Sequence, residues 1–63
     1  MVNLMETLFI ADDEASIREG LKYIADWESL GFSLCGEASN GADALAQILA
    51  LQPSLAMLDV RMP

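Results

Sequence analysis

Apolar and polar positions along this chain fall into blocks whose period changes from one block to the next. Thr7-Leu8-Phe9-Ile10-Ala11 is a short, continuous apolar run, the pattern of a strand buried on both faces, and it stops at Asp12-Asp13-Glu14. From about Ala15 the spacing becomes helical, with Ile17, Leu21 and Ile24 falling on one face. Ser16 and Glu19 have the spacing of a capping box, and the acids just before them can cap equally well. This helix is expected to end near Trp27, with Gly31 as a left-handed stop. Phe32 to Ala38 reads as a second, weaker strand, since Gly36 and Glu37 interrupt its apolar character. Ser39-Asn40-Gly41 is a turn or N-cap signal. The second helix that follows places Ala42, Leu45, Ile48 and Leu49 on one stripe and ends before Pro53. Leu55-Ala56-Met57-Leu58 is a third buried-type strand that delivers Asp59 at its C-terminal end.

The order strand, helix, strand, helix, strand predicts βαβ units and a parallel sheet with right-handed crossovers. The expected class is α/β, a doubly wound parallel sheet with strand order 2-1-3, its helices on opposite faces. Such a sheet has a topological switch point between strands one and three, and ligands bind there, outside the carboxyl ends of the strands.

Composition narrows the function. The chain has 63 residues, so it is one small domain at most, or a piece of one. We read residues 1–63 as a single unit with no second domain. The lone Cys35 cannot form an internal disulfide, and without a histidine it cannot build a zinc site; it is expected to be a small hydrophobe in strand two. An apolar fraction of 54% is too high for disorder through poverty of core residues. The net charge of −7, with only Arg18, Lys22 and Arg61 as bases, argues against direct contact with nucleic acid or with an anionic membrane. No apolar run is long enough to span a bilayer, and the N-terminus has no basic segment of the secretory type. These features point to a cytoplasmic location. Trp27 and Phe32 are expected to pack together where the first helix hands over to strand two.

The acids carry the chemistry. Asp12 and Asp13 leave strand one, and Asp59 leaves strand three. In a 2-1-3 order those strands are neighbours, so three carboxylates converge at the switch point. Acids at a strand-to-helix junction are also common as helix caps, and an acid often simply ends a strand. Their conjunction at adjacent strand ends is what favours a site. Three clustered carboxylates need a counterion, and a hard divalent cation with oxygen ligands, Mg²⁺ above all, supplies it.

The segments Leu8-Phe9-Ile10-Ala11-Asp12-Asp13-Glu14, Gly36-Glu37-Ala38-Ser39-Asn40-Gly41-Ala42-Asp43-Ala44-Leu45 and Leu58-Asp59-Val60-Arg61-Met62-Pro63 resemble the receiver domains of bacterial two-component response regulators, in the family's order and spacing. Asp26-Trp27-Glu28-Ser29-Leu30-Gly31-Phe32 further resembles regulators whose receiver precedes an AraC-type helix-turn-helix output domain. The resemblance implies a flavodoxin-like (CheY-like) fold, a phosphorelay role without enzymatic turnover, and a sensor histidine kinase as partner. It implies that Asp59 is the phosphoacceptor and that Asp12 and Asp13 hold Mg²⁺, Asp13 directly and Asp12 through water. The backbone carbonyl of Arg61 matches the third protein ligand, and Pro63 the proline that shapes the loop. DNA would be reached only through an output domain.

A complete receiver has further strands beyond the third, so the resemblance implies that this chain is the N-terminal half of one. The family's later Ser/Thr and Lys, which read out the phosphoryl group, have no counterpart here, and the helical spacing keeps Lys22 away from the strand ends. Ser54 stands where the family usually has an acid. Strand three is then expected to be an open edge, and these residues alone to be largely unfolded or associated through it. An interaction or dimerisation module that is not phosphorylated is the competing reading. A phosphohydrolase of the Asp-x-Asp type is disfavoured, since position 61 is arginine.

Overall fold

A computed structural model of the chain describes residues 5–59. The elements are β1 (Glu6–Ala11), α1 (Ala15–Tyr23), β2 (Phe32–Ala38), α2 (Gly41–Leu51) and β3 (Leu55–Leu58). The strands form one parallel sheet in the order β2-β1-β3, as the alternation of elements predicts.

Continuous apolarity makes β1 the central strand. Leu8, Phe9 and Ile10 are fully buried, and Ala11 nearly so. Successive side chains point to opposite faces, so one strand serves two layers. Phe9 and Ala11 join Ala38 and the α2 residue Ala44 in the core, with Cys35 and Ile48 packed against them. Leu8 and Ile10 fill the other face, the α1 side of the sheet.

Helix α2 is bounded by local chemistry. Asn40 caps its start, its side-chain oxygen accepting from the Asp43 N–H at 2.8 Å. At its end, Pro53 keeps the preceding residue out of the right-handed helical region. Gln52 takes a left-handed conformation (φ 48°), its N–H donating to the Ile48 carbonyl at 2.8 Å. The expected apolar stripe is corrected here. Leu45 and Leu49 are 60% and 67% exposed, whereas Ala44 is buried. Gly36 is the physical reason. A side chain there would meet Gln47 Oε1 at 2.8 Å, Leu51 at 3.0 Å and Phe9 at 3.2 Å. The bare backbone lets α2 come close through Gln47 and Leu51, which rotates Leu45 and Leu49 outward. Gly36 lies opposite Phe9, just past a bulge that leaves Cys35 without a partner on β1.

Helix α1 ends at Tyr23, earlier than the expected Trp27. Asp26 opens a separate turn, accepting from the Ser29 hydroxyl at 2.6 Å and from its N–H at 3.3 Å. The Ser29 hydroxyl, more than the N–H, holds the Asp26 carboxyl below the usual range. Gly31 is left-handed (φ 88°), as expected, but closes this turn instead of the helix. With α1 shorter, Ile24 falls at its cap and is 71% exposed. Ile17 is also exposed, and Leu21 is half-buried. Neither expected cap forms. Glu14 stands at the N-cap without a side-chain bond, and the Asp12 side chain instead accepts from the Glu14 N–H at 2.9 Å. Trp27 and Phe32 do pack, edge to face, with ring centroids 6.0 Å apart, and the Trp27 indole donates to the Leu21 carbonyl.

Strand β3 is held at both ends. Ser54 and Thr7 are joined reciprocally, the Ser54 N–H donating to Thr7 Oγ1 at 3.0 Å and the Thr7 N–H to Ser54 Oγ at 3.2 Å. Beyond the strand, the Asp59 N–H donates to the Ala11 carbonyl at 3.0 Å.

The close approach at Gly36 gives a first prediction. In the chain extended to full receiver length, Gly36→Ala pushes the side-chain ends of Gln47, Leu51 and Phe9 aside and lowers stability by about 1–3 kcal/mol, read as a fall in urea midpoint at constant slope. An unchanged midpoint would contradict the packing described.

Candidate metal centre

The order β2-β1-β3 brings the exits of β1 and β3 side by side. Asp12, Asp13 and Asp59 each offer a carboxylate oxygen, and these oxygens all lie within 4.8 Å of one another. Asp12 is 9% exposed, Asp13 is exposed and Asp59 is half-buried. The convergence expected from the sequence is therefore present. Arg61 and Pro63, the other two residues that the resemblance brings to the site, lie outside the described residues.

Backbone bonds fix the two strand exits. The Asp12 N–H continues the ladder to the Ala38 carbonyl at 3.1 Å, while the Asp59 N–H holds the other side through Ala11. Asp12 spends one side-chain oxygen on the turn that launches α1. A cleft of about 390 Å³ opens beside the acids, floored by Ile17, Leu21, Met57 and Leu58 and flanked by Asp12, Glu14 and Asp59.

The donor set fits a hard cation. All three groups are oxygen donors of one sign, and with these oxygens within 4.8 Å of one another a single hard cation can be reached by all three. Softer metals prefer the nitrogen and sulfur ligands that this cluster lacks.

An ionic network lies one step behind the acids, and the sequence alone did not single it out. Arg18 donates from Nη1 to the Asp12 carbonyl at 2.7 Å and from Nε to Glu37 Oε1 at 2.9 Å. Lys22 bridges Glu19 and Glu37, and so is occupied away from the cluster, as expected. The signal was Glu37 itself, a charge within an apolar strand, together with two bases one helical turn apart on α1.

An open parallel α/β sheet with acids at its switch point is a doubly wound architecture with its ligand site where such sheets place one. No family model matches the chain. The uncharacterized transcriptional regulatory protein YesN of Bacillus subtilis is 46% identical over 59 residues, covering 94% of this chain and 16% of that protein. The transcriptional regulatory protein HptR of Staphylococcus aureus is 44% identical, with 94% and 23% covered. Among solved structures, the REC domain of AraT, a response regulator from Geobacillus stearothermophilus, superposes with a TM-score of 0.89 at 36% identity. That match covers 94% of this chain and 46% of that one. The chain thus spans a minor part of the length of each relative. It corresponds to the N-terminal portion of a response-regulator receiver domain of the two-component type. No described helix is long and apolar enough to cross a membrane.

The network makes stability depend on pH at both extremes. Hydrogen bonds from Lys22 first and Arg18 second hold the Glu37 carboxyl below the usual glutamate range. Its contribution is therefore present above the ordinary glutamate value and lost as pH falls through the lowered one. Bonds to Glu19 first and Glu37 second raise Lys22, so its contribution persists below the ordinary lysine value and fades as pH climbs beyond it. Comparing urea midpoints of wild type and Glu37→Gln along an acid series, in the chain extended to full receiver length, checks this. The gap between them should close as pH falls below the glutamate range; a constant gap would refute it.

Proposed function

We propose that this chain is the phosphoacceptor part of a receiver, taking a phosphoryl group from a sensor histidine kinase onto Asp59 with Mg²⁺ bound between Asp12, Asp13 and Asp59. The observation that carries it is the convergence of those three carboxylates at the switch point. The similarity to response regulators supports the same reading.

The residues divide the work. A carboxylate oxygen of Asp59 attacks the phosphorus of a phosphohistidine, an O–P bond forms as the N–P bond breaks, and the imidazole leaves with the electron pair. Asp12 and Asp13 would hold the cation, and the Arg61 carbonyl would complete the protein's share. Mg²⁺, when bound, supplies neutralisation of the charge on the transferring group. The fold supplies position, since β1 and β3 are pinned to each other beside the attacking oxygen. This is stoichiometric group acceptance in the cytoplasm and not enzymatic turnover. DNA would be reached only through an output domain, as the likeness to transcriptional regulators supports, and the resemblance at Asp26–Phe32 suggests the AraC type for it.

The test is incubation of the chain, extended to full receiver length, with a small acyl phosphate and Mg²⁺, followed by intact-mass measurement. One phosphoryl adduct should form, and both Asp59→Asn and chelation of Mg²⁺ should abolish it. An adduct that survives Asp59→Asn would overturn the assignment.

A second reading is favoured by the outer side of β3. Leu55 and Leu58 are 40% and 52% exposed, and β3 is an edge of the sheet among the described residues. On this reading the 63-residue chain associates with itself through that edge, independently of Mg²⁺ and of Asp59. Sedimentation analysis should then show a mass that rises with concentration and is unmoved by Asp59→Asn. A concentration-independent monomer would exclude it.

A further inference from the structure

We infer that Arg18 is a positioning residue for the acid pair: its guanidinium fixes the peptide plane between Asp12 and Asp13, and so sets how the two carboxylates meet a divalent cation. The inference rests on the proposed Mg²⁺ site and extends it to a residue outside the cluster.

The geometry is specific. After its N–H completes the ladder to Ala38, Asp12 leaves the sheet, and its carbonyl accepts from Arg18 Nη1 at 2.7 Å. That carbonyl belongs to the peptide unit joining Asp12 to Asp13. Rotation of this unit would redirect the chain that carries Asp13, whose exposed side chain depends on its backbone for its place. The guanidinium is itself anchored, its Nε bonded to Glu37 Oε1 at 2.9 Å and its side chain only 17% exposed. Glu37 sits opposite Ile10 on β2, a strand that gives nothing to the cluster, and its own carbonyl accepts from Gln47 Nε2 at 2.9 Å. The loop bearing both acids is therefore braced against the rigid sheet through one fork.

Chemistry distinguishes this role from a general charge effect. A guanidinium holds two acceptors at a fixed angle, whereas an ammonium group on a flexible stem cannot keep that geometry. The two roles also have opposite signs. A cation beside an acidic cluster repels Mg²⁺, so if charge alone mattered, removing Arg18 would tighten binding. Loss of a positioning group weakens it, by about ten- to a hundredfold for groups that orient metal ligands.

The experiment is Mg²⁺ binding by titration calorimetry, with amide chemical shifts, on the chain extended to full receiver length. Wild type is compared with Arg18→Met, Arg18→Lys and Glu37→Gln. Both Arg18 variants should bind Mg²⁺ about ten- to a hundredfold more weakly, and the Asp13 amide resonance should move already without metal. Glu37→Gln, which leaves Arg18 with a weaker anchor, should fall between. Phe32→Ala, destabilising at the opposite end of the sheet, should keep wild-type affinity. Unchanged or tighter binding by Arg18→Met overturns the inference; if that variant does not fold, Arg18→Lys decides by the same criterion. Equal loss in Phe32→Ala also overturns it, since stability and not position would then govern binding. A wild type that does not bind Mg²⁺ removes the proposed metal site and this inference with it.

Discussion

Burial of β1 on both faces and pairing on both its edges is the constraint on which the rest of the molecule depends. Leu8, Phe9 and Ile10 are fully buried, so this strand cannot move to an edge or slide without exposing core. Its central place decides which acids meet. With β2 on one side and β3 on the other, Asp12 and Asp13 emerge beside Asp59 and not beside the end of β2. The Thr7–Ser54 pair and the Asp59–Ala11 bond hold the short β3 in register at its two ends. A slip of one residue would turn Asp59 to the wrong face. Ser54, a departure from the usual family residue, thus contributes to the alignment of the site at the far end of the strand.

Charge placement follows a second logic. Three carboxylates in one place repel each other, and a protein can relieve that with an internal cation or leave the place for an external one. Among the described residues, Arg18 and Lys22 place their charged groups on partners other than the clustered carboxylates. Arg18 bonds the backbone carbonyl of Asp12 and the carboxylate of Glu37, which also pairs with Lys22. Arg18 therefore orders the loop while its charge is largely answered elsewhere.

The sequence made the fold legible where local signals were unopposed. β3 runs over Leu55–Leu58 as read, because Pro53 and Asp59 punctuate it and its four residues are all apolar, but its expected burial is corrected: at the sheet edge only Met57 is half-buried. The start of α2 was legible for the same kind of reason, since Asn40 has one thing to do there. The end of α1 was not, because Asp26 competes with helix continuation by capping a turn of its own through Ser29. That signal was in the sequence at Asp26 and Ser29, but its outcome depends on the Trp27 indole reaching Leu21. The α2 stripe was misjudged for a tertiary reason. Hydrophobicity alone favours Leu45 and Leu49 as the inner face, yet Gly36 offers a groove that Gln47 and Leu51 occupy. At the site, the carboxylates could be placed because strand ends are set by topology. The Arg18 contact could not, because it depends on the orientation of one peptide carbonyl.

Glu37 joins these strands of argument, since both helices reach it from different sides of its own backbone and side chain. Gln47 of α2 holds its carbonyl, and Arg18 and Lys22 of α1 hold its carboxylate. Gly36, its neighbour, is what lets α2 come near enough for Gln47 to make that bond. A charged residue in a strand is ordinarily a cost, because its desolvation must be offset by partners. Here the partners are supplied by the two helices, and in return the strand gives α1 a fixed point. The chain of contact from α2 through Glu37 and Arg18 to the Asp12 carbonyl is continuous, each link being a hydrogen bond between named atoms. The acids at the switch point are thus held by the packing of the whole sheet and not by the loop alone. That is why an acid inside a strand, which lowers the strand's own propensity, is better read as part of the site's support than as a flaw in the sheet.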